Sequence, residues 1–291
     1  MRKQIAFLGP KGTFTEEALH RYCKGQGWTI EAIPAHTIEE AIDMTMRDET
    51  EYAFVPVENS LGGTVLTTMD YLMEHRHIEI CGEIAMPIRH YLWGIVGAQL
   101  KDITTVYSHP QAIRQCKPFL AEYLRHADTI YTGSTAEGGE LVSTAALPNQ
   151  AAIGGIALGH TYGLTQLSGE AQEHAYNLTR FILVRHNDHI KDDLEQVDLR
   201  KINGAKLSLL CELDGLRPGS LWEGLGIFAK RHINLVKIES RPTKGRLGEY
   251  KFFFDLQIES NAEDVKEALK ELYTVATDVQ LFGLYHTLII E

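Results

Sequence analysis

Basic residues are not in excess: 28 lysines and arginines stand against 39 aspartates and glutamates, a formal charge of −11 over 291 residues. A protein that grips nucleic acid by its phosphates needs a basic footprint, so this balance argues against general nucleic-acid binding. It leaves small anionic ligands open, because these answer to local donors. Cysteine is scarce. Cys23, Cys81, Cys116 and Cys211 are far apart with no CxxC pair, which offers neither a zinc site nor a disulfide framework. Small buried thiols in a reducing compartment are expected. The first apolar run, Ile5–Leu8, is too short for a signal peptide, and no run approaches a membrane span. The thirteen histidines show no HExxH-type spacing, and the nearest pairs, His75/His77 and His186/His189, read as solvated. No metal is implied. No GxGxxG follows a strand and no Gly-Lys-Ser/Thr loop is present, so neither a dinucleotide site nor a Walker loop is indicated.

What is present is a regular alternation. Gln4–Leu8, Thr29–Ile33 and Tyr52–Val57 read as strands, separated by helices capped by Thr13 or Thr15 and spanning Thr37–Arg47. The theme repeats with strands at Thr104–Tyr107, Asp128–Tyr131 and Ala151–Gly154 and helices at Pro110–Leu124 and Thr135–Ala145, before a last strand at Arg180–Val184. This predicts an α/β fold with mainly parallel sheet, in two lobes with a cleft for a small molecule. Composition turns polar and aperiodic after residue 185, and 186–204 reads as a linker. From 205 on, strands at Lys206–Leu213, Asn234–Ser240, Glu249–Ile258 and Gln280–Ile290 enclose helices at Gly219–Arg231 and Ala262–Tyr273. That order, βαββαβ, is the ferredoxin-like arrangement.

Four segments have the residue types for chemistry. GPKGTFTEEA (Gly9–Ala18) joins a strand to a helix start, where free N–H groups favour an anion, with Thr13 and Thr15 beside them. VPVENSLGGT (Val55–Thr64) ends a buried-type strand in Glu58, Asn59 and Ser60, and its glycines permit close approach to the backbone. YSHPQAIRQC (Tyr107–Cys116) sets Ser108 at a strand end and Gln111 and Gln115 on one helix face. NLTRF (Asn177–Phe181) groups an amide, a hydroxyl and a guanidinium suited to a carboxylate. Read one at a time, each has a structural alternative: a helix start, a turn, an N-cap, or a surface arginine beside a β-favoured threonine.

Taken together, in this order, these segments with STAEGGELV (Ser134–Val142) and AAIGG (Ala151–Gly155) resemble the prephenate dehydratases. RPGSLWEGL (Arg217–Leu225) and NLVKIESRP (Asn234–Pro242) resemble the ACT regulatory domain of that family. The resemblance spans nearly the whole chain. It implies a periplasmic-binding-protein-like catalytic domain of two α/β lobes over 1–185, a linker over 186–204, and an ACT domain over 205–291. It implies decarboxylating dehydration of prephenate to phenylpyruvate, carbon dioxide and water, without a cofactor. Thr179 is then the donor to the leaving hydroxyl and Arg180 a carboxylate holder, with Asn59, Ser108 and Gln115 completing the catalytic set. Thr13, Thr15, Glu58, Ser60, Asn177 and Phe181 are expected to contact or frame the substrate.

The ACT resemblance further implies feedback inhibition by L-phenylalanine, bound between subunits by Gly219, Leu221, Asn234, Leu235, Glu239 and Ser240. A homodimer or homotetramer follows from the same likeness; a cytoplasmic location without a membrane partner is expected from the short first apolar run and the lack of a membrane-length one, and no nucleic-acid partner is expected from the charge balance. Two other readings remain: an arogenate dehydratase, and a non-catalytic sensor that binds an amino acid without turnover.

Overall fold

The computed structural model describes residues 2–188, 204–243, 245, 248–259 and 262–290. Residues 189–203, most of the segment read as a linker, lie outside the described residues. Contacts group the chain into two compact units, one of Met1–Thr68, Ile84–Phe181 and Ile289–Glu291, the other of Met69–Glu83 and Ile182–Leu288.

The first unit opens with β1 (Lys3–Leu8), α1 (Phe14–Gly25), β2 (Ile30–Ala35), α2 (Ile38–Met46), β3 (Tyr52–Asn59) and the short β4 (Gly63–Thr64). β1 lies between β2 and β3 and runs parallel to both. Parallel neighbours need crossovers, which α1 and α2 supply while packing on β1 and β3. Ile5, Phe7, Leu19, Ile42 and Phe54 are fully buried there. Next come α3 (Leu66–Glu74) and β5 (Ile78–Pro87), each of which continues from one unit into the other along the chain.

The second lobe of this unit comprises β6 (Tyr91–Gly94), β7 (Thr105–Ser108), α4 (Pro110–Gln115), α5 (Lys117–Tyr123), β8 (Asp128–Tyr131), α6 (Thr135–Ala145), β9 (Gln150–Gly154), α7 (Ile156–Tyr162) and β10 (Thr165–Gln166). Its sheet has the order β10-β6-β9-β7-β8. β7 is parallel to β8 and β9, while β6 is antiparallel to β9 and β10. This lobe is therefore mixed where a mainly parallel sheet was expected. The helix expected over Pro110–Leu124 is two, meeting at Cys116 (φ −103°, ψ 11°). Pro118 has no N–H to continue the α4 ladder, and so starts a new helix instead. β11 (Leu178–His186) returns to the first sheet, whose order is β16-β5-β11-β3-β1-β2, with β16 at Thr287–Ile289 and β4 pairing with β3.

In the second unit β12 (Ala205–Leu213), α8 (Ser220–Ala229), β13 (Asn234–Pro242), β14 (Tyr250–Ile258), α9 (Ala262–Val275) and β15 (Ala276–Tyr285) build an antiparallel sheet of order β13-β14-β12-β15. This is the βαββαβ order read from the sequence. Leu207, Leu209 and Cys211 of β12 share one core with Phe228 of α8, Phe254 of β14 and Leu269 and Leu272 of α9. The opposite face of this sheet holds Ser208, whose hydroxyl meets Asp255 at 2.5 Å and Tyr285 at 2.7 Å. Within the same unit, Lys206 pairs with the fully buried Glu83 at 2.6 Å, and the Gln280 amide donates to His75 O at 3.1 Å. The strand expected over Gln280–Ile290 is divided: β15 ends at Tyr285, and β16 belongs to the other sheet. An apolar run carries no mark of the sheet it pairs with, so periodicity cannot reveal that change. Among the described residues no helix is long and apolar enough to cross a membrane.

Candidate active site

A cavity of about 640 Å³ opens in the first unit. Its wall includes Thr13, Phe14 and Thr15 from the start of α1, Asn59 from the end of β3, and Gln111 and Gln115 from α4. Ser134, Thr135, Glu137 and Glu140 come from the start of α6, Thr179 and Phe181 from β11, and Ile88 and His90 from the β5–β6 connection. Among the described residues lining it, none is a lysine or arginine.

Helix starts supply positive potential in their place. Thr13 caps α1 by accepting from Glu16 N at 3.4 Å, and Ser134 caps α6 by accepting from Glu137 N at 3.0 Å. In each case the glutamate reaches back, to Gly12 N at 2.6 Å and to Gly133 N at 2.6 Å. These variants of the capping box fix the geometry of both first turns and offset part of their positive potential. His109 caps α4, its Nδ1 accepting from Gln111 N at 3.2 Å. Burial first, and then the charge of Arg114, push the His109 pKa down.

The polar heart of the site is a chain of side chains from residues far apart in sequence. Asn59 Nδ2 donates to Thr179 Oγ1 at 2.9 Å and to Asn177 Oδ1 at 2.8 Å. Asn177 Nδ2 donates to Gln115 Oε1 at 3.1 Å, and that oxygen also meets His90 Nε2 at 2.8 Å. Gln111 Nε2 lies 3.4 Å from Asn59 Oδ1. A Cβ on Gly62 would sit 2.7 Å from Gln111 Nε2 and 3.2 Å from Asn59 Oδ1. This glycine makes room for Gln111, whereas the sequence suggested room for a ligand.

Of the residues named from sequence for the catalytic domain, Thr13, Thr15, Asn59, Gln111, Gln115, Thr179 and Phe181 line the cavity. The others stand behind or beside it. Asn177 is 1% exposed and links Asn59 to Gln115. Ser108 is fully buried and its hydroxyl donates to Ile153 O at 2.7 Å, so it ties β7 to β9. Ser60 Oγ accepts from Leu178 N at 3.0 Å and steadies the entry to β11. Arg180 is outside the wall and pairs with Glu58 at 2.7 Å. The reason is strand alternation: Thr179 and Phe181 take one face, and the residue between them takes the other. Phe181 in turn stacks on Phe54, with centroids 5.7 Å apart.

His90, Phe14, Ser134 and Glu137 were not singled out from sequence. The Ser134/Glu137 spacing is a capping signature that marks a helix start. His90 sits in a connection without a motif.

The residues named for the effector lie in the second unit. Gly219 precedes α8 at φ 85°, a left-handed conformation that suits glycine. Leu221 and Leu235 pack partly into the unit's core. Asn234 and Ser240 are exposed on β13, and Glu239 pairs with Arg241 at 2.9 Å. β13 ends the sheet order and exposes Val236 and Ile238, at 42% and 52%.

Comparison with known proteins finds relatives over nearly the whole chain. The family model described as Prephenate dehydratase matches residues 5–189, and that described as ACT domain matches 217–272. A prephenate dehydratase of Methanocaldococcus jannaschii is 33% identical over 98% of both chains. The crystal structure of prephenate dehydratase in complex with L-Phe from Arthrobacter aurescens superposes with a TM-score of 0.84, at 31% identity, over 97% of this chain and 90% of the other. The structure of GqqA, described as a novel type of quorum quenching acylase, gives 0.82 at 26% identity over 98% of both. A family model covering more than half the chain, together with a relative this similar over its full length, establishes that the chain belongs to the prephenate dehydratase family.

Proposed function

We propose that this protein converts prephenate to phenylpyruvate, carbon dioxide and water, and that L-phenylalanine binding to the ACT domain inhibits it. The observation that carries the reading is the Asn59–Thr179 hydrogen bond at the cavity wall. Thr179 Oγ1 is the acceptor there, so its own proton is available to an oxygen in the cavity. Prephenate carries two carboxylates and a ring hydroxyl. As the C–CO₂⁻ bond breaks, its electron pair enters the ring and the hydroxyl leaves with the C–O pair, taking up a proton to become water. Aromatisation drives the step, and the enzyme's task is to stabilise charge growing on the departing oxygen. Thr179 is assigned that role. The helix starts at Thr13–Thr15 and Ser134–Thr135, with the amides of Gln111 and Gln115, are the candidates for the carboxylates. Arg180 and Glu58, paired with each other, are assigned to support of the β3–β11 ends. Ser108, Ser60 and Asn177 hold the site's frame.

The catalytic domain is proposed to span 1–185, the linker 186–204 and the ACT domain 205–291. The effector site is assigned to Gly219, Leu221, Asn234, Leu235, Glu239 and Ser240, completed by a second subunit across β13. Exposed apolar residues on that end strand support such pairing. A cytoplasmic homodimer or homotetramer is the corresponding assembly.

Phenylpyruvate formation from prephenate, with and without L-phenylalanine, tests the whole proposal. Turnover suppressed by L-phenylalanine is expected. Turnover without a response overturns the effector assignment alone. Turnover of arogenate in preference to prephenate replaces the substrate. Acylase activity with prephenate inert would move the chain toward the quorum-quenching acylase it resembles. No turnover of any of these would leave a binding sensor.

A further inference from the structure

The polarity of the buried side-chain array is fixed from one end. Asn59 Oδ1 accepts from Leu61 N at 3.1 Å and Gly62 N at 2.7 Å, groups that can only donate. Its Nδ2 must therefore face Thr179 Oγ1 and Asn177 Oδ1. Asn177 then turns its Nδ2 to Gln115 Oε1. An amide oxygen only accepts, so His90 Nε2, 2.8 Å from the same oxygen, must bear the ring proton. His90 Nδ1 is left as a lone pair, buried and without a partner among the described residues. The ring is 3% exposed and meets Phe14 edge-on at 5.2 Å. Burial pushes its pKa down to about 4, which keeps it neutral at ordinary pH. An orphaned buried nitrogen is unfavourable, and what the fold keeps in exchange is the donor on the other nitrogen. The array leaves over the Thr179 proton and the Gln115 Nε2 amide, both on residues of the cavity wall.

We propose that His90 is a positioning residue, whose Nε2–H locks the Gln115 amide with its NH₂ toward the cavity and so completes the array that presents Gln115 and Thr179 as donors. The inference rests on the dehydratase reading and deepens it. A cavity with no lysine or arginine among its described lining residues has to hold a dianion by oriented dipoles, and a flipped Gln115 amide would turn its oxygen to a carboxylate and its NH₂ against two donors, Asn177 Nδ2 and His90 Nε2. His90 adds the second and shorter of the two hydrogen bonds that oppose the flip.

The test compares the full-length wild type with His90→Leu and His90→Gln for prephenate turnover and for the denaturant midpoint of unfolding. His90→Leu is expected to lower kcat/KM about tenfold without lowering the midpoint, since it deletes the orphaned nitrogen along with the donor. His90→Gln, whose amide N–H can replace Nε2–H, is expected to recover most of the loss. Wild-type kcat/KM in His90→Leu overturns the proposal. So does a loss of activity that only tracks a lower midpoint, with His90→Gln no better. Independently of turnover, the ¹⁵N signals of His90 are expected to show the neutral Nε2–H tautomer, and a proton on Nδ1 at neutral pH overturns the assignment. Absence of wild-type turnover alongside that tautomer would instead sink the dehydratase reading.

Discussion

At the scale of single residues, the decisive distinction is between a side chain that faces the cavity and its sequence neighbour that does not. Thr179 and Arg180 are adjacent in one motif, yet only Thr179 lines the cavity. Thr179→Ala removes the donor and is expected to lower kcat at least about tenfold, read in steady-state turnover; near-normal kcat would remove Thr179 from its role. His90 gives the clearest dependence on pH. Its folded pKa of about 4 lies below the ordinary value of 6.5, because burial disfavours the charged ring. The unfolded chain therefore binds a proton that the native state refuses. This contribution to stability is full above pH ~6.5 and is lost as pH falls from there toward 4. The wild type should lose more stability than His90→Gln between pH 7 and 4.5, by about 1–3 kcal/mol, in urea titrations at both values. The four cysteines are a residue-scale expectation that agrees with the fold, three of them being buried and Cys81 partly so. Burial pushes the Cys116 thiol up to about 12, which keeps it unreactive.

At the scale of elements, helix starts and strand ends do the positioning. The capping threonine of α1 and the four-residue spacing of Gln111 and Gln115 were legible in the sequence, because caps and periodicity are local. The meeting of Asn59 with Thr179 was not legible from spacing. Their separation of 120 positions is closed only by the pairing of β3 with β11, and it was the family resemblance that put both on one site. The break at Cys116 followed from Pro118, a signal present in the sequence but outweighed by the apolar pattern around it. The Asn59–Gln111 contact rests on the missing side chain of Gly62. Gly62→Ala should displace Gln111 by filling the 2.7 Å approach, lowering kcat/KM several-fold while shifting the unfolding midpoint little, since the loop is at the surface. Equal kcat/KM in the two proteins would show that Gln111 can move without consequence.

At the scale of the whole molecule, the sequence divided the chain by composition, whereas contacts group Met69–Glu83 with the C-terminal sheet. Local signals cannot report such an exchange: nothing beside Glu83 in the sequence marks it, yet it is fully buried against Lys206. The proposed assembly belongs to this scale as well. Charges at Val236 and Ile238, as Val236→Asp with Ile238→Lys, should dissociate the oligomer and abolish L-phenylalanine inhibition while prephenate turnover persists. Sedimentation and inhibition assays on the same preparation check this, and an unchanged sedimentation coefficient would place the interface elsewhere.

The cavity without lysine or arginine has a consequence for ionic strength. Charge–charge attraction at a binding site fades as salt screens it, over a length of ~10 Å at 0.1 M. In the proposed site the attraction is made by short-range hydrogen bonds and helix starts, while the chain as a whole carries −11 and repels an anionic substrate at a distance. Added salt therefore weakens the repulsion more than the grip. kcat/KM for prephenate should hold or rise as sodium chloride increases from 10 to 200 mM, where a cation-lined pocket would show it falling.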